Sequence, residues 1–191
     1  MKHFIATIIL AFCAIVAFSQ EHITFKGVPV DGTLSEYVKN MQAKGFKYEG
    51  KSEDGIAVLT GDFAGYKGCI IGVSTLDNFD VVSRIVVSFP EDFSWGSLLY
   101  KYDDLKSMLS EKYGEPQECV ETFNDDYVTD DGSKLSAVKL NRCDYYCVFE
   151  TALGIIELEI MANRKMSCFV RLSYNDRINS SKARQAAMAD L

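Results

Sequence analysis

The sequence predicts an α+β fold in which two helix-plus-antiparallel-sheet repeats form a two-layer arrangement. Three observations carry this reading. A capped amphipathic helix pattern is followed by four short strand-like runs, and in the second half a second capped helix is followed by five. The links between runs are shorter than the dozen or so residues that a parallel crossover needs. The 191-residue chain is 48% hydrophobic and 25% charged, which is the balance of a chain that folds.

Residues 1–19 read as an export signal. Lys2 and His3 form a basic start, an apolar run from Phe4 to Phe18 is broken only by Thr7, and Ala17-Phe18-Ser19 supplies a small-x-small cleavage pattern with Gln20 as the new N-terminus. Leu10-Ala11-Phe12-Cys13 loosely mimics a lipobox, but bulky Phe12 and the continuing apolar run favour simple cleavage. The run is short for a membrane span, so the mature chain is expected to be periplasmic or extracellular with no span of its own.

The first repeat is expected over residues 20–92. An extended segment, Ile23 to Val30, leads through the Asp31-Gly32 turn to Thr33-Leu34-Ser35-Glu36, which fits a capping box. Leu34, Tyr37, Val38 and Met41 then share one face of a helix over 34–44, with Gly45 as its stop. Strands follow at Phe46–Glu49, Ile56–Phe63, Cys69–Ser74 and Val82–Phe89.

The second repeat is expected over residues 93–176. Ser94 caps a helix over 95–113 whose stripe is Leu98, Tyr102, Leu105, Leu109 and Tyr113, and Gly114 and Pro116 stop it. Strands are expected at Glu118–Asn124, Ser136–Arg142, Tyr145–Thr151, Ile155–Met161 and Ser167–Tyr174. The stretch Ser83–Phe89 echoes Ser167–Tyr174 once one residue is inserted. In the tail, residues 177–191, Ala183, Ala187 and Leu191 fall four apart as in a short helix.

Removing residues 1–19 takes away one lysine and no acid, so the formal charge moves from −7 to −8. An acidic exported domain repels phosphate backbones, which argues against nucleic acid as a partner. Five cysteines remain in an oxidising compartment, and no C-x-x-C pair is present. Zinc is disfavoured because His22 is the only histidine beyond the signal. Structural disulfides are therefore expected. A hairpin with its tip at Asp130-Asp131-Gly132-Ser133 would set Cys119 opposite Cys143, Asn124 opposite Val138 and Tyr127 opposite Leu135. Cys69 and Cys168 would pair by elimination and staple the repeats, leaving Cys147 as a buried thiol.

No catalytic, metal or cofactor set is expected. There is no G-x-S-x-G, and His22 lies close to the expected new terminus, where fraying positions a base poorly. Asp103-Asp104 suits the wet face of a helix, while Asp125-Asp126 and Asp130-Asp131 suit solvated turns without the order of an EF-hand loop. Tyr100 and Tyr145 fall off the core stripes and are candidates for stacking on a sugar or a partner.

The run His22-Ile23-Thr24-Phe25-Lys26-Gly27-Val28-Pro29-Val30-Asp31-Gly32-Thr33 resembles the start of an uncharacterised family of small exported Bacteroidota proteins. That resemblance implies a periplasmic or surface address and carries no functional residue across. At the level of fold alone, the helix-plus-sheet repeats resemble those of the β-lactamase inhibitory protein family, and a fold does not transfer a function. The expected function is a non-catalytic binding or interaction module for an unknown protein or small ligand. The alternatives are a structural or envelope-assembly component and a carboxylate-dependent hydrolase.

Overall fold

A computed structural model describes residues 21–76 and 79–189. The expected export signal and the cleavage point at Gln20 lie outside the described residues. In chain order the elements are β1 (Thr24–Phe25), β2 (Val28–Pro29), α1 (Leu34–Ala43), β3 (Lys47–Lys51), β4 (Ala57–Phe63), β5 (Tyr66–Thr75) and β6 (Val82–Ser88). They continue with α2 (Trp95–Tyr113), β7 (Glu118–Phe123), α3 (Asp131–Lys139), β8 (Cys143–Glu150), β9 (Gly154–Ala162), β10 (Cys168–Asp176) and α4 (Arg177–Ala189).

Eight strands make one antiparallel sheet in the order β3-β4-β5-β6-β10-β9-β8-β7. Each half of the chain contributes four consecutive strands, and the last strand of each meets the other at the centre. The two stretches that echo each other in sequence are these central strands, β6 and β10. The fold is α+β, as the sequence predicts.

Local chemistry accounts for the helix starts. The Thr33 side chain accepts the Glu36 N–H and the Glu36 carboxylate accepts the Thr33 N–H, closing the expected capping box. Ser94 accepts the Ser97 N–H at the head of α2, and Gly114 ends that helix at φ 87°, a backbone angle that favours glycine. The expected extended segment Ile23–Val30 is instead a two-residue hairpin. Lys26 and Gly27 both take positive φ, at 52° and 75°, the pair of angles a tight turn between antiparallel strands demands.

The largest departure lies between Glu118 and Glu150. The expected strand Ser136–Arg142 falls on the last turn of α3 and the residues just past it, and the expected hairpin tip is the N-cap and first turn of that helix. Asp130 accepts the Ser133 N–H at 2.9 Å, and the Ser133 hydroxyl accepts the Asp130 N–H at 3.1 Å. Asp, Gly and Ser serve turns and helix starts by the same side-chain-to-backbone bonds, so these residues alone do not choose between the two. With a helix in the connection, β8 slides four residues relative to the expected register. Cys119 therefore faces Cys147, Thr122 faces Asp144 and Phe123 faces Cys143.

The disulfide follows the register. Cys119 is bonded to Cys147, not to Cys143, with Cα atoms 4.2 Å apart, the close spacing of a non-hydrogen-bonded antiparallel pair. Cys69, Cys143 and Cys168 are free thiols, so the expected Cys69–Cys168 bridge is also absent. Cys69 lies on β5 and Cys168 on β10, with β6 between them. Two strand spacings amount to about 9.5 Å, beyond disulfide reach.

Alternation sorts the sheet into two faces. Leu59, Ile71, Ile85, Val87, Leu172, Leu158 and Cys147 point to one side, where they are fully buried with Tyr37, Met41, Leu98, Tyr102 and Leu105 of the helices. Phe25 joins this core edge-on to Tyr174 at 5.5 Å. At the far end of the sheet a Cβ on Gly154 would collide with the Asn175 carbonyl oxygen, so only glycine lets β9 run this close to β10.

Candidate functional site

The positions of opposite parity form the second face of the sheet. Along one row, Thr60, Ile70, Ser88, Arg171, Glu159, Tyr146 and Val120 lie side by side across strands β4, β5, β6, β10, β9, β8 and β7. The next row runs Val58, Gly72, Val86, Ser173, Glu157, Val148 and Glu118. Most of these residues are half-buried by their own neighbours, while Ile70 is 51% exposed. Both halves of the chain contribute, because the rows cross the β6–β10 seam.

At the centre of this face sits a charged cluster. Arg171 donates from Nε to Glu159 Oε1 at 2.5 Å, pairing across β10 and β9. The Ser173 hydroxyl donates to Glu157 Oε2 at 3.1 Å. Arg84, one strand away, reaches the Ser173 oxygen only at 3.5 Å through its terminal nitrogen. Its Nε is buried and has no partner. A guanidinium presents five donors in a fixed fork, so Arg84 retains capacity for a carboxylate or carbonyl acceptor. Gly72 lies beside Val86 under the Ile56 side chain, and a Cβ there would meet Ile56 Cγ2 at 3.4 Å.

Two other polar clusters are structural. Lys101 of α2 is 7% exposed and donates to Asp92 Oδ2 and to the Pro90 carbonyl, both at 2.6 Å. It lies 5.6 Å from the centre of the Tyr66 ring, whose hydroxyl donates to Asp104 at 2.8 Å. The second cluster ties the N-terminal segment to the end of β10. Asp176 is fully buried and accepts the Ile23 and Asn179 N–H groups, with His22 Nδ1 at 3.0 Å. The Asn179 side-chain amide donates to the Val30 and Val82 carbonyls and to Asp31. His22 is therefore held between Asp176 and Asp31, not frayed.

This knot has a pH signature. Desolvation raises the Asp31 carboxyl, but the Asn179 amide, the Gly32 N–H and the nearby His22 and Lys182 outweigh it and hold it below its ordinary value. A carboxyl depressed in the folded state adds stability above its unfolded pKa of about 3.9 and loses it as pH falls through the folded value. The melting-temperature gap between wild type and Asp31→Asn is therefore expected to narrow as pH is lowered through the acid range below about 4. Thermal melts of both proteins across that range check it, and a constant gap would contradict it.

The residues singled out by sequence are scattered. Tyr100 is 72% exposed on α2, but Tyr145 is half-buried against the core, edge-on to Trp95 at 5.0 Å and to Tyr102 at 5.8 Å. Asp130 is a helix cap and Asp125 accepts the Tyr127 N–H at a turn. Asp103 faces Lys106 and Glu121. Partial burial, with Glu121 nearby, pushes its carboxyl up despite Lys106. Cys119, Cys147 and Glu121 place three ligand-type atoms within 4.8 Å of one another, and the disulfide accounts for that closeness. The signal that could have pointed to Arg84 was its place among alternating apolar residues in Val82–Phe89, on the same parity as Val86 and Ser88.

Among the described residues no helix is long and apolar enough to cross a membrane. Comparisons of the chain with protein-family models, with curated proteins and with solved structures return no match.

Proposed function

We propose that this protein is an exported, non-catalytic binding module that holds a folded protein partner on the second face of its sheet. The observation that carries the reading is the incompletely bonded Arg84 guanidinium at the centre of that face. Arg84 is half-buried and its one side-chain bond, to Ser173, is long at 3.5 Å, so a partner's carboxylate on its terminal nitrogens would supply the counter-charge that this face does not give it. Size favours a protein over a small ligand. Eight strands about 4.8 Å apart and roughly 20 Å long offer on the order of 700 Å², close to what one partner contributes to a standard interface. Mixed charge with aliphatic residues between suits such a contact. The Cys119–Cys147 bridge supports an oxidising address.

Arg84→Met separates binding from folding. Stability is expected to stay within about 0.5 kcal/mol of wild type or to rise, because an incompletely paired charge leaves the sheet. Capture of a partner from envelope extract by the tagged mature protein is expected to fall about tenfold or more. Tyr100→Ser, on an exposed helix position, should leave capture unchanged. Unimpaired capture by Arg84→Met together with loss in Tyr100→Ser would overturn the reading.

A further inference from the structure

We propose that the Cys119–Cys147 disulfide is a thiol-exchange site with a fixed direction, in which an incoming thiolate attacks the sulfur of Cys119 and Cys147 departs as the thiolate. Three features of the bridge set this direction. The first is access. β7 is an edge strand, Cys119 on it is exposed, and Cys147 on β8 is fully buried. Exchange requires approach along the S–S axis at the sulfur opposite the leaving one, and solvent reaches the bridge from the Cys119 side.

The second feature is a donor for the leaving group. Tyr102 Oη lies 3.1 Å from Cys147 Sγ, and both groups are buried. In the disulfide Cys147 carries no proton, so the tyrosine is the donor. Desolvation, with Glu121 beside it, raises the Tyr102 hydroxyl well above its ordinary pKa, so it stays protonated. As the S–S bond breaks, that hydrogen bond becomes charge-assisted and favours departure of Cys147.

The third feature is charge. Glu121 lies 3.8 Å from Cys147 Sγ and would oppose a developing thiolate, but Lys106 pairs with it at 2.5 Å. Internal competition is suppressed as well. Burial pushes the Cys143 thiol up to about 11 and also raises Cys69 and Cys168, so none offers much thiolate near neutral pH.

The step balances without an added oxidant. A thiolate RS⁻ forms the RS–S bond to Cys119 while the Cys119–Cys147 bond breaks, and Cys147 keeps the electron pair. A dithiol reagent continues: its second thiolate attacks the RS sulfur, frees Cys119 and closes the reagent's own disulfide. The net result is two reduced cysteines and one oxidised dithiol. The ligand class is therefore a thiolate, supplied by a small molecule or by a protein.

The test uses the folded mature protein with reduced glutathione, followed by acid quench, alkylation and peptide mapping. Glutathione is expected on Cys119 and the alkyl group on Cys147. Tyr102→Phe should slow the exchange about three- to tenfold, the worth of one hydrogen bond. Glu121→Gln, an exposed substitution, should speed it. Running a C-x-x-C dithiol protein in parallel distinguishes the sources: faster reaction than glutathione at equal thiol concentration assigns the site to protein thiols, and slower reaction to small ones. Glutathione on Cys147 would overturn the proposal. So would exchange no faster than global unfolding, or Tyr102→Phe and Glu121→Gln rates equal to wild type.

Discussion

Replacing Asp176 by Ala is expected to cost roughly 3 to 5 kcal/mol of folding stability, the range found when one partner of a buried charged network is removed. The carboxylate is fully buried and takes the Ile23 and Asn179 N–H groups and His22. Alanine leaves those donors facing a space with no acceptor, and each orphaned donor carries its own desolvation penalty of about 1–3 kcal/mol. The damage should be local in origin and global in effect. Ile23 opens the N-terminal hairpin, Asn179 lies in the first turn of α4, and the Val82 carbonyl that Asn179 bonds belongs to central strand β6. Urea unfolding is expected to show a lower midpoint with an unchanged slope. Hydrogen exchange at Ile23 and Asn179 should rise first. A midpoint close to wild type would mean that the knot decorates the fold without supporting it.

Lys101→Met is the second large effect, with an expected loss of about 3 to 5 kcal/mol. Methionine fills the space of the lysine stem, so packing changes little. What changes is Asp92, whose side chain is only 16% exposed and loses its cation, while the Pro90 carbonyl loses a donor. Asp92 also bonds by its backbone to Cys168, so the loop between β6 and α2 is tied to β10 at the same point. The double variant Lys101→Met/Asp92→Leu provides the control. Removing both charges is expected to recover most of the loss, since a well-packed apolar pair often equals a buried ion pair in stability. Equal losses in the single and double variants would locate the effect in packing, not charge.

The two capped helices, the strand runs other than Ser136–Arg142 and the α+β class were legible because they rest on local rules. Side-chain caps act over three residues, and alternation marks which side of a strand meets the core. The region around Asp130 was not legible, because Asp-Asp-Gly-Ser satisfies both a turn and a helix start by the same hydrogen bonds. That one ambiguity moved the β7–β8 register by four residues and exchanged Cys143 for Cys147 as the partner of Cys119. The candidate site was legible only in part. Its alternating parity is written in Val82–Ser88, but the incomplete bonding of Arg84 depends on Ser173, which lies far along the chain. His22 and Asp176 likewise meet although 154 positions of the chain separate them. Contacts of that range follow from which strands pair at the centre of the sheet. Strand order is set by burying the helices of both halves against one face, a property of the assembled core that no stretch of sequence carries alone.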